Sequence, residues 1–144
     1  MQIYSEKEIT KMIGVAKPVL LIDEESISLG EGKAFSKCFL GYEYPFWKCH
    51  FVGNPVMPGT YMLEMMAQSA ALFDMLHSGC TNVPIITSMT NIRFLLEVKP
   101  AQSVQVEIIL KEISGDYYTT KGKMICIGGG KTVCKTEMVH YIKR

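Results

Sequence analysis

The chain has 144 residues, with fifteen Lys and Arg set against fourteen Asp and Glu, and a formal net charge of +1. That length predicts one compact domain over residues 1–144. The near-neutral charge excludes a polyanion binder working through bulk charge, so no nucleic-acid partner is expected. With 48% hydrophobic and 20% charged residues, the composition is globular and neither disordered nor fibrous.

The start, Met1 to Glu8, has neither a basic region nor an apolar signal core, and no apolar run approaches the roughly 20 residues of a membrane helix. The expectation is a cytoplasmic protein without membrane insertion. Cys38, Cys49, Cys80, Cys126 and Cys134 are odd in number and contain no CxxC pair. They predict free thiols, mostly in core or strand positions, with no disulfide framework and no structural metal.

In chain order, Glu8, Ile9, Met12 and Ile13 predict a short amphipathic helix ended by Gly14. Val19 to Ile22 reads as a buried strand stopped by Asp23-Glu24-Glu25, and Lys33 to Leu40 as a second strand. Gly41 to Gly59 holds Pro45, Pro55 and Pro58 together with Gly53, so turn chemistry dictates its backbone. Thr60 to Leu76 lacks proline and glycine and is rich in Met, Leu and Ala, which predicts one long helix. Its apolar residues occupy almost every face, which predicts burial, and Glu64 and Gln68 form a polar line four residues apart. A carboxylate buried there would be costly and would call for a function or a partner.

Ile85 to Phe94, Ser103 to Glu112, Tyr117 to Ile127 and Lys131 to Tyr141 read as strands, the last three joined by the turns Ser114-Gly115-Asp116 and Gly128-Gly129-Gly130. The glycine trio opens no helix and lacks a following Lys-Ser/Thr, so it is a hairpin turn and not a phosphate loop. A helix apolar all round beside five or six strands predicts an α+β architecture in which a curved antiparallel sheet wraps around the long central helix.

Chemistry concentrates between Trp47 and Gln68. It offers an imidazole, His50, on a turn-rich loop; a glycine, Gly59, at a helix start; and a carboxylate, Glu64, one turn into that helix. These are a base near neutral pH, a backbone N–H that can stabilise an oxyanion with the helix dipole behind it, and a candidate acid. Cys49 beside His50 makes a poor nucleophile–base pair, because adjacent residues of an extended backbone point to opposite sides.

The string His50-Phe51-x-Gly53-x-Pro55-Val56-Met57-Pro58-Gly59, followed by Leu63-Glu64-x-Met66-Ala67-Gln68, closely resembles the beta-hydroxyacyl-acyl-carrier-protein dehydratases of the FabZ type, which have the hot-dog fold. The resemblance runs from Leu20-Leu21-Ile22-Asp23 through Asn91-Ile92-Arg93-Phe94 and Pro100 to the last strand. It implies dehydration of a (3R)-3-hydroxyacyl thioester to the trans-2-enoyl thioester. His50 matches the catalytic histidine and Glu64 the catalytic carboxylate. Gly59 matches the glycine whose N–H receives the thioester carbonyl, and Gln68 the residue that orients the carboxylate. Met57, Met62 and Phe94 are candidates for lining an acyl tunnel.

The resemblance further implies no cofactor beyond the substrate's own phosphopantetheine arm. The partner would be an acyl carrier protein, or coenzyme A in its place, and the assembly a homodimer with composite active sites that can build a trimer of dimers. The chain departs from the family where Cys49 replaces a glycine, where Val52 replaces a proline and loosens the loop, and where Val15-Ala16-Lys17-Pro18-Val19 replaces His-Arg-Tyr-Pro-Phe. Two alternatives stay open: thioester hydrolysis on the same scaffold, and a non-catalytic acyl-carrier-binding subunit.

Overall fold

The computed structural model describes residues 1–144. In chain order it has β1 (Gln2–Ser5), α1 (Glu6–Ile13), β2 (Glu24–Ser28), β3 (Lys33–Leu40), a short 3-10 turn (Pro45–Lys48), α2 (Gly59–Ser78), β4 (Ile85–Phe94), β5 (Gln102–Ser114), β6 (Tyr117–Cys126) and β7 (Thr132–Tyr141). Helix α1 opens with a capping box, in which Ser5 accepts from the Glu8 N–H and Glu8 accepts from the Ser5 N–H. Gly14 and Gly79, both left-handed, close α1 and α2.

The strands form one antiparallel sheet in the order β1-β2-β3-β5-β6-β7-β4. This corrects the wrapped geometry expected from the sequence. The sheet is open: β1 and β4 are free edges that do not pair with each other, and α2 lies against one face, touching β3 to β7. The physical reason lies on the other side of α2. Its remaining apolar surface is covered by α1, through the buried Ile9 and Ile13, and by the chain around Leu20–Ile22, not by further strands. The architecture is therefore hot-dog-like, an antiparallel sheet with one long helix, without the curl.

Two local expectations also change. Val19–Ile22 is not a strand, because the Leu21 N–H and the Val19 carbonyl are bonded by the Gln68 side chain instead of by a strand ladder. The strand comes later, at Glu24–Ser28, where Glu25 and Ile27 point into the core. An inward glutamate hid that alternation.

Between α2 and the sheet, Met65, Met66, Leu72 and Phe73 pack with Val104, Val106, Ile108, Met124 and Met138. Eight polar side chains are buried in the molecule, and six of them, Glu25, Ser36, Ser69, Asp74, Thr120 and His140, hold side-chain atoms without a hydrogen-bond partner. The five cysteines are free; Cys38 and Cys134 are buried and their thiols are pushed up to about 11 by burial, whereas Cys49 is exposed.

Candidate active site

His50 sits at the end of the 3-10 turn, where a ladder of short-range bonds positions it. Its N–H donates to the Phe46 carbonyl (3.0 Å), and its own carbonyl accepts from the Val56 N–H (2.8 Å). The buried Trp47 pins the turn by donating Nε1–H to the Gly41 carbonyl (2.8 Å). Beyond it, Phe51 and Asn54 exchange backbone bonds of 2.8 and 2.9 Å, so the loop that lacks the family proline is clasped instead by a closed turn. The Nδ1 of His50 lies 2.9 Å from the Val56 carbonyl oxygen. A carbonyl can only accept, which assigns the proton to Nδ1 in the neutral ring and leaves the Nε2 lone pair available.

The Met57 N–H donates to the Val98 carbonyl (2.9 Å), and Pro58 then starts α2 with no side-chain cap. The N–H groups of Gly59 and Thr60 therefore carry the positive end of the helix dipole without an internal acceptor, whereas those of Tyr61 and Met62 donate to the Pro58 carbonyl (2.9 and 3.3 Å). Gly59 leads that turn under the Phe94 ring: a Cβ added there would lie 2.8 Å from Phe94 Cε1. His50, Gly59, Met57, Met62 and Phe94 line one cavity of about 530 Å³, continued by Leu95, Leu96 and Glu97. Four of the sequence-predicted site residues thus meet His50 in a single hollow. Met65 and Met66 are ordinary core.

Glu64 and Gln68 sit elsewhere. Within one chain Glu64 is exposed, not buried as the apolar helix suggested. It opens onto two other hollows, one with Val19 and Tyr61 and one with Ala67, Ala71, Ile86 and His140. Gln68 is buried and fully used: Nε2 donates to Glu64 Oε2 (3.0 Å) and to the Val19 carbonyl (2.9 Å), while Oε1 accepts from the Leu21 N–H (2.9 Å). The same covering segment is braced by Lys17, whose Nζ bonds Asp23 Oδ1 (2.8 Å) and the Tyr44 hydroxyl. Gln68→Ala orphans the buried Leu21 N–H, which costs about 1–3 kcal/mol, and frees the part-buried Val19 carbonyl, which costs less. A loss of about 2–4 kcal/mol in stability, read by urea unfolding, is expected.

Sequence reasoning missed Asp74 and His140. They face each other in the core, Oδ2 to Nδ1 at 3.3 Å, and burial pushes Asp74 up to about 8 and His140 down to about 4. The available signal was a lone aspartate in an otherwise apolar stretch of α2 and a histidine at an inward position of β7. No three His, Cys, Asp or Glu side chains converge as a metal site, and no helix is long and apolar enough to cross a membrane.

The model of the FabA-like domain matches residues 11–139. The chain belongs to the FabA/FabZ-like dehydratases. It is therefore an enzyme of the lyase class working in acyl-thioester chemistry. It is 32% identical over 142 residues to a 3-hydroxyacyl-[acyl-carrier-protein] dehydratase FabZ of Caldicellulosiruptor bescii, covering 97% of this chain and 99% of that protein. Among solved structures, its fold is similar to a dehydratase heterocomplex, ApeI:P, from Xenorhabdus doucetiae (TM-score 0.76, 13% identity, covering 94% of this dehydratase and 91% of that chain). It is also similar to zebra fish thioesterase superfamily member 2 (TM-score 0.72, 11% identity, 96% and 95% covered). At those identities the likeness establishes the fold alone, and the fold carries more than one chemistry.

Proposed function

We propose that the chain dehydrates a (3R)-3-hydroxyacyl thioester, carried on an acyl carrier protein, to the trans-2-enoyl thioester. The observation that carries this reading is the shared cavity, into which the His50 imidazole and an uncapped helix start both open. His50 Nε2 takes the C2 proton while the Gly59 N–H and the first turn of α2 hold the negative charge growing on the thioester oxygen. Glu64, protonated, delivers its proton to the C3 hydroxyl. The C2–H and C3–O bonds break, the C2–C3 double bond forms, and water leaves.

His50 and Glu64 open onto different hollows of one chain, so the reaction needs two chains. Edge strand β4 exposes Ile85, Ile86, Ile92 and Phe94, continued by Leu95 and Leu96, beside unpaired backbone groups. Antiparallel pairing of two copies about the middle of β4 sets Phe94 of each chain opposite Ile85 of the other. The His50 cavity, which contains Phe94, then faces the groove of the second chain that contains Ile86 and Glu64. Such a dimer is isologous and holds two composite sites. Further association into a trimer of dimers would appear as a hexamer mass in solution.

The test is hydration of trans-2-enoyl thioesters, the reverse reaction, followed through loss of enoyl absorbance and product mass. Gain of one water is the expected product, whereas release of free thiol would identify a hydrolase, and binding without turnover a carrier-binding subunit. Gly59→Ala pushes a methyl into the Phe94 ring. Phe94 is half exposed in the single chain but belongs to the proposed β4 seam, so its displacement is expected to lower kcat/KM about tenfold or more while the fold of each chain is kept, in keeping with the sensitivity of aligned sites to ångström displacements.

A further inference from the structure

Two residues other than glycine hold a positive φ: Ala101, in the turn after Pro100, and Asn91, at φ 52° inside strand β4. A turn accounts for the first. The second interrupts a strand ladder, and backbone strain of this kind persists only where its surroundings impose it.

The register shows what the interruption does. Thr90 stands opposite Glu137 and Arg93 opposite Lys135, so Asn91 and Ile92 together face the single residue Thr136. This is a β-bulge whose first residue is left-handed, and one extra residue reverses the facing of every side chain after it. Before the bulge Met89 lies opposite the buried Met138, and after it Phe94 lies opposite the buried Cys134. In an unbroken ladder Arg93 would take the place opposite Cys134 and Phe94 would turn to the outer face.

Strand β7 clasps the bulge. Asn91 Nδ2 donates to Glu137 Oε2 (2.8 Å), Glu137 is in turn paired with Lys111, and the Thr136 hydroxyl donates to the Thr90 carbonyl (2.9 Å). Asn91, Glu137 and Lys111 line a hollow on the outer face of the sheet, and none of them lines the His50 cavity. Asparagine suits the position on two counts: it enters the left-handed region more readily than most residues with a Cβ, and its amide supplies the donor.

Phe94 is what the bulge delivers to the site. Its ring covers Gly59, whose N–H is the oxyanion donor in the dehydratase reading, on which this inference rests. We propose that Asn91 is a positioning residue for that reaction: its left-handed bulge, clasped from the outer face, turns Phe94 into the His50 cavity. Without the bulge the cover over Gly59 is lost and the Arg93 guanidinium is brought to the cavity instead. The loss falls on kcat more than on KM, because the Gly59 N–H acts on charge that grows only in the transition state.

The experiment compares Asn91→Gly, Asn91→Ala and Asn91→Val, which all lack the amide and resist the left-handed backbone in rising order. Enoyl hydration is measured in each. Fluorine NMR of protein labelled with fluorophenylalanine reports the ring directly, the Phe94 resonance among the six phenylalanines being assigned through Phe94→Leu. Asn91→Gly is expected to keep the wild-type resonance and a kcat within about threefold, because glycine takes a positive φ without strain. Asn91→Val is expected to displace the resonance and lower kcat about tenfold or more, with Asn91→Ala between them, so the order can be read even if the valine variant does not fold. A folded Asn91→Ala or Asn91→Val protein with the wild-type resonance and kcat, whatever its melting temperature, would overturn the proposal. So would a glycine variant as impaired as the others, or a loss of dimer mass in the alanine and valine variants alone, which would assign Asn91 to the β4 seam. Absence of hydration by the wild-type protein would count against the dehydratase reading and leave the resonances to judge the bulge.

Discussion

His50→Ala is expected to lower the hydration rate of a trans-2-enoyl thioester by about 10²–10⁴-fold, the usual contribution of a positioned acid–base group. The loss should fall on kcat more than on KM, because the imidazole acts on a proton that moves only in the transition state. The fold should survive: the side chain is only partly buried and gives up one hydrogen bond to the Val56 carbonyl, worth about 1 kcal/mol. Glu64→Gln separates geometry from chemistry more cleanly. The new amide keeps a carbonyl oxygen to accept from Gln68 Nε2, as Glu64 Oε2 does at 3.0 Å, but it has no acidic proton to deliver. A loss of similar size with an unchanged melting temperature is expected, since Glu64 is exposed in the single chain. Full activity in both variants would remove these residues from the mechanism.

Asp74→Asn is expected to stabilise the protein, increasingly so as the pH rises. Burial raises the Asp74 carboxyl from its ordinary 3.8 to about 8, so the folded protein holds a proton that the unfolded chain releases. Below the unfolded value this costs nothing. Between about pH 4 and pH 8 the wild-type protein loses about 1.4 kcal/mol per pH unit from this residue. Asparagine needs no proton, so the gap between variant and wild type should widen through that window and level off above it.

The neighbours have their own slopes. Glu25, fully buried beside Ser69, is raised by burial and acts in the same direction as Asp74. His140, lowered from 6.5 to about 4, acts oppositely, with stability lost as the pH falls from 6.5 toward 4. Comparing Asp74→Asn with wild type across pH 5 to 9 by urea unfolding isolates the aspartate. A difference that stays flat with pH would mean that Asp74 is ionised in the folded state.

The long helix was legible because residues 60–76 contain no breaker, and β5 to β7 because glycine turns punctuate them. The wrapped sheet was misread for a physical reason: an all-apolar helix reports that it is covered, not by what, and here α1 and the Leu20–Ile22 segment share the task with the sheet. The same limit applies to Val19–Ile22, whose apolar run reads as a strand until Gln68, forty-seven residues after Leu21, is seen bonding its backbone. At the site, His50 and Gly59 stand nine residues apart in sequence, and their linear motif carried their grouping. The separation of Glu64 from His50 depends on which side of α2 each hollow lies, and no spacing along the chain encodes that. Nor does it encode the meeting of Asp74 with His140.

The most direct measurement mixes two inactive variants. His50→Ala and Glu64→Gln are each purified, combined in equal amounts under conditions that exchange subunits, and assayed for enoyl hydration. If each site takes His50 from one chain and Glu64 from the other, random re-pairing makes half of the dimers mixed. Each mixed dimer has one intact site of its two, so about a quarter of wild-type activity returns. No recovery, with subunit exchange confirmed by mass, would contradict the composite site and place both groups within a single chain.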